Sequence, residues 1–293
     1  MKRDFTQWSG TALLVVISLI WGSSYLFMKK GLIAFTPVEM ASIRLAFTSF
    51  CFLPIFLVHK NSIKPHHWKY LLIIAITGSG APAFLYAIGQ TGITSSVAGI
   101  LGAMNPIFTI LVGVTLYGLK INTEKYLGIG IGFLGAFILI ISGPNGLDFS
   151  SQNLGMSFLV VLAVFCYAFS SNTIQKYLPT MNPLAISSGA FFLLLFPNLA
   201  EAVHVGVLQE SFWTTARKEV IIFILLLAFL GTFLANILYF HLVQKNGAVM
   251  AATVSYLIPI VSILLGVLDG EKLSEWQILG MVTILVGVYL SRK

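Results

Sequence analysis

Residues 221–230 read Ile221-Ile222-Phe223-Ile224-Leu225-Leu226-Leu227-Ala228-Phe229-Leu230, ten apolar residues with no polar interruption. A strand with one wet face alternates apolar and polar positions, and so does a strand of a membrane barrel. This run does not alternate, and it extends through 217–243, longer than the ~20 residues that cross a hydrocarbon core as a helix. Working outward, 57% of the 293 residues are hydrophobic and 9% are charged. A soluble domain carries roughly 25% charged residues. So little charge would leave apolar surface facing water and cause aggregation, which excludes an ordinary soluble enzyme, a disordered chain and a nucleic-acid binder. Lipid is the solvent for most of this surface.

Apolar runs and turn residues predict ten spans, near 10–30, 37–58, 67–89, 94–117, 122–142, 151–176, 182–203, 217–243, 247–268 and 273–291. Between the third and fourth spans Gln90-Thr91-Gly92-Ile93-Thr94 makes only a tight connection. The first run is too long for a signal-peptide core and lacks a small-residue cleavage site, so it is expected to remain as a helix.

The 17 basic residues set the orientation. With the N-terminus inside, Lys2, Arg3, Lys60, Lys64, Lys69, Lys120, Lys125, Lys176, Lys245, Arg292 and Lys293 are cytoplasmic, which is eleven. Lys29, Lys30, Arg217, Lys218 and Lys272 are outside, and Arg44 lies within the membrane. Both termini are therefore expected in the cytoplasm, and the net charge of +7 reads as topology. Trp68, Trp213 and Trp276 sit near span ends as interfacial anchors, whereas Trp21 falls inside the first span.

The two halves repeat. An offset of 153 places Tyr86 on Tyr239, Ala98 on Ala251, Pro106 on Pro259 and Gly113 on Gly266. An offset of 152 pairs Gly128 with Gly280 and Gly135 with Gly287, and one of 147 pairs Ser23, Ser24 and Lys29 with Ser170, Ser171 and Lys176. The division expected is 1–145 and 146–293. Five spans per half, an odd number, would invert the second copy across the membrane, and inverted repeats commonly form a site at their interface. The fold class expected is an all-α integral membrane protein of ten transmembrane helices in two inverted five-helix repeats.

Particular motifs carry a family resemblance. The first span reads Trp21-Gly22-Ser23-Ser24-Tyr25 followed by Lys29, and the second Pro37-Val38-Glu39-Met40-Ala41-Ser42-Ile43-Arg44. Pro106 and Pro259 each follow a small-residue helix, and Gly270-Glu271-Lys272-Leu273 precedes the last span. Over nearly its whole length the chain resembles the EamA type of the drug/metabolite transporter superfamily. One departure is Gly118-Leu119-Lys120, where the family often has Gly-Glu, so Glu271 has no twin in the first half. The resemblance implies a central cavity lined mainly by the first, third, fourth, sixth, eighth and ninth helices, and export or exchange of small metabolites, amino acids among them.

The candidate cavity residues follow from side-chain chemistry. Trp21, Ser24, Tyr25 and Met28 share one face of the first helix, and Tyr167, Ser170, Ser171 and Ile174 make the comparable face of the sixth, with Asn172 equivalent to Tyr25. Tyr86 and Gln90 lie at i and i+4, and Asn236, Tyr239 and Tyr256 occupy the second copy. Aromatic walls with a few amides and hydroxyls suit an amphipathic small molecule, although the same residues also serve helix packing. Pro106 and Pro259 are expected to shape their helices by removing a backbone donor.

Arg44 costs about 2.5–3.5 kcal/mol at a helix centre on insertion scales, so it needs partners or water. It reads as an anion contact or gate, or as a brace to carbonyls, and Glu39 is a second gating or structural charge. Glu39 and Glu201 are the carboxylates read near the spans, both toward ends, which argues against a carboxylate-driven pump. The glycines of the fifth and tenth spans read as a contact between the repeats or as an oligomer interface.

Cys51 and Cys166 are far apart, no zinc-ligand spacing occurs, and no phosphate-cradling Gly-Lys-Ser/Thr motif appears. No metal or cofactor is expected. The partners expected are a small-molecule substrate and membrane lipids, without nucleic acid, for a monomer or homodimer. The function expected is a transporter, exporter or exchanger, in a bacterial inner (plasma) membrane. An integral membrane enzyme acting on lipids and a non-transporting sensor are the alternatives.

Overall fold

The computed structural model describes residues 10–120, 124–143 and 145–292. Of the cations that carry the orientation reading, Lys2, Arg3 and Lys293 lie outside the described residues, as does the start of the fifth predicted span.

The chain is helical almost throughout. Its α-helices are α1 Gly10–Gly31, α2 Pro37–His59, α3 Trp68–Ala75, α4 Ala81–Gly89, α5 Ser95–Gly102, α6 Asn105–Tyr117 and α7 Glu124–Ile140, followed by α8 Ser151–Tyr177, α9 Pro183–His204, α10 Thr215–Ala228, α11 Ala235–Asn246, α12 Ala248–Ala252, α13 Ile258–Leu268 and α14 Glu275–Arg292. Among the described residues the exception to an all-α reading is a small antiparallel hairpin, β1 Ser142–Gly143 with β2 Gly146–Leu147.

Local chemistry sets the ends of these helices. Thr36 and Glu39 form a reciprocal capping box before α2, and Ser150, Asn182 and Thr214 cap α8, α9 and α10 with side-chain oxygens. Gly118 ends α6 at φ +75°, a left-handed turn that a side chain would strain.

Four of the predicted spans are interrupted rather than continuous. A π-helical turn, Ile76–Gly80, joins α3 to α4, and a second, Phe229–Leu234, joins α10 to α11. They start 153 residues apart, the offset seen in the sequence. The fourth span breaks between α5 and α6, with Pro106 in the first turn of α6. The ninth breaks at the 3-10 turn Thr253–Tyr256, with Pro259 in the first turn of α13. A proline there gives up a backbone donor that has no helical partner anyway.

Eight helical stretches among the described residues are long and apolar enough to cross a membrane. Two further stretches, Tyr126–Ile140 and Glu275–Leu290, are shorter. At about 1.5 Å per residue they reach some way short of a ~30 Å hydrocarbon core. The hairpin bounds the first of them, and the second begins only after the Gly270 turn, φ +88°, and the Ser274–Gln277 cap.

Packing brings the elements around a central space. Helices α2 and α9 lie side by side, with Phe52 on Phe191 (centroids 4.9 Å) and Phe56 on Phe192 (4.1 Å). Helices α7 and α14 pack backbone to backbone: a Cβ on Gly287 would lie 2.6 Å from Gly132 Cα, and one on Gly135 would lie 2.9 Å from Gly280 O. Gly132, Gly135, Gly280 and Gly287 thus serve a contact within the chain, where only hydrogen allows the approach. Leu19, Phe50, Phe137, Phe158, Phe196 and Leu264 are exposed on outer faces, where lipid is their solvent.

Candidate functional site

A cavity of about 70 Å³ of water-accessible space is lined by residues of α1, α2, α4, α5, α6, α8, α10, α11 and α13 and of the turns between them. At ~10–15 Å³ per water on that measure, it holds a handful of waters. Trp21, Ser24, Tyr25 and Met28 enter from α1, which keeps the face read from the sequence. Tyr86 enters from α4, Tyr167, Ser170 and Ser171 from α8, and Asn236, Tyr239 and Phe240 from α11.

Two of the ring pairs are tilted and the third is stacked. Trp21 and Tyr239 have centroids 4.9 Å apart, Tyr25 and Tyr86 5.6 Å, and Tyr86 and Tyr167 6.2 Å. Tyr25 donates its hydroxyl to that of Tyr86 at 3.4 Å, and the hydroxyls of Ser171 and Tyr239 are 3.0 Å apart. Gly102 makes room: a Cβ there would sit 2.8 Å from the Tyr25 hydroxyl.

The π-helical turns position the polar wall. A π turn carries an extra residue and shifts backbone carbonyls off the i→i−4 ladder, which leaves groups for side chains to use. Trp21 Nε1 donates to Gly231 O at 3.0 Å, inside the second π turn. Thr232 donates to Leu227 O at 3.1 Å, five residues back, and accepts from Arg44 Nε at 2.7 Å. In the first π turn Ser79 Oγ accepts from Asn236 Nδ2 at 3.1 Å. Gly78, Ser79, Gly231 and Thr232 all line the cavity. Sequence reasoning missed them, although Gly78-Ser79 and Gly231-Thr232 stand at the 153 offset as small-residue pairs inside apolar runs.

Arg44 also lines the cavity, although the second helix was expected to lie outside it. The cause is its Thr232 anchor, which points the long side chain inward from α2. Glu39 is elsewhere. Its Oε2 accepts from Thr36 N at 2.7 Å and its Oε1 from Arg217 Nη2 at 2.9 Å, with the Arg217 guanidinium 4.0 Å from the Phe212 ring centroid.

Three expected cavity residues do not line it. Gln90 closes the end of α4 and donates to Tyr25 O at 3.1 Å. Asn172 braces α8 to α6, donating to Ala168 O at 2.8 Å and Thr109 O at 3.0 Å. Tyr256 donates to Val288 O at 3.1 Å and ties its turn to α14. Each donor has found a backbone carbonyl, which answers its cost in lipid without facing a cavity, although Gln90 Oε1 is buried without a partner.

The two ends of the span Ser95–Tyr117 are held differently. At the Ser95 end, the Glu271 side chain is 4% exposed and lies against the start of α5. Its Oε1 accepts from Ser95 Oγ (2.7 Å), Ser95 N (3.1 Å) and Lys29 Nζ (2.9 Å), and its Oε2 from Ser96 Oγ (2.6 Å) and Ser96 N (3.0 Å). Asp269 pairs with Lys29 at 2.8 Å and with Lys30. Burial alone would raise the Glu271 carboxyl, but the bonds from Ser96, Lys29 and Ser95 outweigh it and leave it lowered. Bonds from Lys29 and Lys30 hold Asp269 below its ordinary range.

At the Tyr117 end no carboxylate takes part among the described residues. Lys176 Nζ donates to Tyr117 O at 3.0 Å, and Ala248 N donates to Gln175 Oε1 at 2.7 Å. Glu271 is thus a buried acid beside the spans that the reading of Glu39 and Glu201 passed over.

Comparison with known proteins agrees with this architecture. The model of the EamA-like transporter family matches residues 8–141 and again 154–292. An uncharacterized transporter of Archaeoglobus fulgidus is 26% identical over 97% of this chain and 98% of its own length. The inner membrane transporter YedA of Escherichia coli K12 is 26% identical over 93% of this chain and 88% of its own. A protein of Salmonella typhimurium named a probable amino-acid metabolite efflux pump is 27% identical over 96% and 93%. A solved crystal structure superposes with a TM-score of 0.66 at 16% identity, covering 96% of this chain and 95% of that one, and shares the fold. With the family model matching both halves of a helical, membrane-crossing chain built around one cavity, this protein belongs to the EamA-like transporter family.

Proposed function

We propose that this protein exports or exchanges small amphipathic metabolites, amino acids among them, through the central cavity. It does so as ten spans in two inverted five-helix halves, divided near 145/146, that rock to open the cavity to one side at a time. It resides in the plasma membrane with both termini cytoplasmic, and acts as a transporter and not an enzyme.

The observation that carries this reading is the cavity itself. Trp21, Tyr25, Arg44 and Tyr86 come from the first half and Tyr167, Asn236 and Tyr239 from the second, so both halves must stay together to form the wall. Aromatic faces take an apolar side chain, and the amides and hydroxyls take its polar end. The matched π turns, the matched proline breaks and the name of the Salmonella relative support it. The space of about 70 Å³ suits a compact substrate entering as the halves rearrange.

The test is efflux of a panel of amino acids from preloaded proteoliposomes. Asn236→Ala and Tyr239→Ala are expected to slow transport at least tenfold while the proteins still purify as folded species. Wild-type rates in both would remove these residues from the site. No flux of any compound by the unaltered protein would remove the transport reading.

A further inference from the structure

Arg44 combines features that ordinary packing does not call for. It lies on α2, inside the cavity, and among the described residues it forms no ion pair. The ion pairs there join Lys29, Lys30 and Arg217 to Asp269, Glu271 and Glu39, and no Asp or Glu lines the cavity. Its one hydrogen bond uses Nε, held by Thr232 at 2.7 Å. Thr232 is itself fixed, because its hydroxyl is committed to Leu227 O. The relay sets the plane of the guanidinium and leaves its two terminal nitrogens without a partner among the described residues. A guanidinium takes a carboxylate most strongly in a two-pronged fashion, and a preset plane lowers the cost of doing so.

A second polar group is also unmatched. Ser170 Oγ is buried, lines the same cavity, and has no hydrogen-bond partner. Ser42, Ser49, Ser157 and Ser187 are also buried with unpartnered hydroxyls, but of the five serines Ser170 is the one that lines the cavity, where a bound molecule can supply its partner. The rest of the wall offers ring faces and neutral amides and hydroxyls. An ammonium group would therefore find ring faces, which attract it modestly, and a fixed positive charge that repels it.

We propose that Arg44 is the anion subsite of this cavity: its terminal nitrogens hold a carboxylate of the substrate, Thr232 sets its orientation, and Ser170 supplies a further hydrogen bond. The substrates are carboxylates of net charge zero or negative, and net cations are rejected. This rests on the transport reading and sharpens it, because an amphipathic cavity alone would not choose between acids and bases.

The test uses matched pairs that differ in the carboxylate alone: L-phenylalanine against L-phenylalaninamide, and L-leucine against L-leucinamide. Each is offered as substrate and as competitor to the purified protein in proteoliposomes. Loss of the carboxylate is expected to weaken competition on the order of 100-fold, as for removal of one partner of a buried charged pair. Arg44→Gln should bring acid and amide to equal, weak competition, and Arg44→Lys should recover part of the preference. Should Arg44→Gln not fold, Thr232→Val serves, since it keeps the charge but frees Nε, and should weaken the acids several-fold relative to the amides.

Equal competition by acid and amide in the unaltered protein would overturn the anion subsite while leaving transport intact. So would an acid preference that persists in Arg44→Gln. If no probe of either kind is bound or moved, the transport reading falls and the anion subsite with it.

Discussion

Replacing Glu271 by glutamine is the sharpest test of what holds the start of α5. The carboxylate accepts five hydrogen bonds, three on Oε1 and two on Oε2. Glutamine keeps the shape but has one acceptor oxygen, and its amide nitrogen faces donors. If the oxygen takes the Oε1 position, Ser96 Oγ can rotate to accept from the new amide, but Ser96 N cannot. An unsatisfied buried N–H costs about 1–3 kcal/mol. Removing a negative charge from the start of α5 costs about 0.3–1 kcal/mol more. Lys29 is about one-third exposed, so water replaces much of its share and that pair adds about 0–1 kcal/mol.

The expected loss is about 3 kcal/mol. For a chain of this size that is a fall of roughly 6–12 °C in unfolding temperature. Intrinsic tryptophan fluorescence of the purified protein in detergent, heated at a fixed scan rate, measures it. Ser96→Ala, which removes one hydroxyl donor, should cost about 1 kcal/mol on the same scale. A fall under about 3 °C for Glu271→Gln would refute the reasoning, because it would mean that Glu271 is not held by the start of α5.

Two further outcomes follow from the same geometry. Asp269 and Glu271 both have folded-state values lowered from the ordinary 3.8 and 4.5, so their contribution is complete above those values and disappears as pH falls through the lowered ones. Unfolding temperature should hold steady from about pH 7 to 5 and fall below about 4, and the fall should shrink in an Asp269→Asn/Glu271→Gln protein; an unchanged acid limb would assign the loss to other groups. Gly287→Ala places a Cβ against the Gly132 backbone, where no side chain can move aside, so about 1–3 kcal/mol of stability should be lost; unaltered unfolding temperature and yield would show that α7 and α14 separate at no cost.

Much of the site was legible because it depends on chemistry that lipid makes conspicuous. Trp21, Tyr25, Tyr86, Asn236 and Tyr239 were read as cavity residues from helical spacing and repeat position, and all five line one space. The same reasoning placed Gln90, Asn172 and Tyr256 there, and they do not reach it. A polar side chain in a span must find a partner, and a sequence shows the need but not the partner. A cavity and a neighbouring carbonyl meet it equally well.

By itself, the sequence determined that lipid is the solvent, that the spans are helical, and that the second half repeats the first, because charge content, run length and periodicity are local properties of the chain. Tertiary structure decided which polar groups face the cavity. The two π turns insert an extra residue and rotate Ser79 and Thr232 off the regular helical register, so an i, i+3, i+4 pattern cannot locate them. It also decided that Arg44 enters from a helix expected to lie outside, and that Glu271, 242 residues along the chain from Lys29, is buried against the start of α5. Both depend on which backbone ends meet after packing, a distance in space that no spacing along the chain encodes.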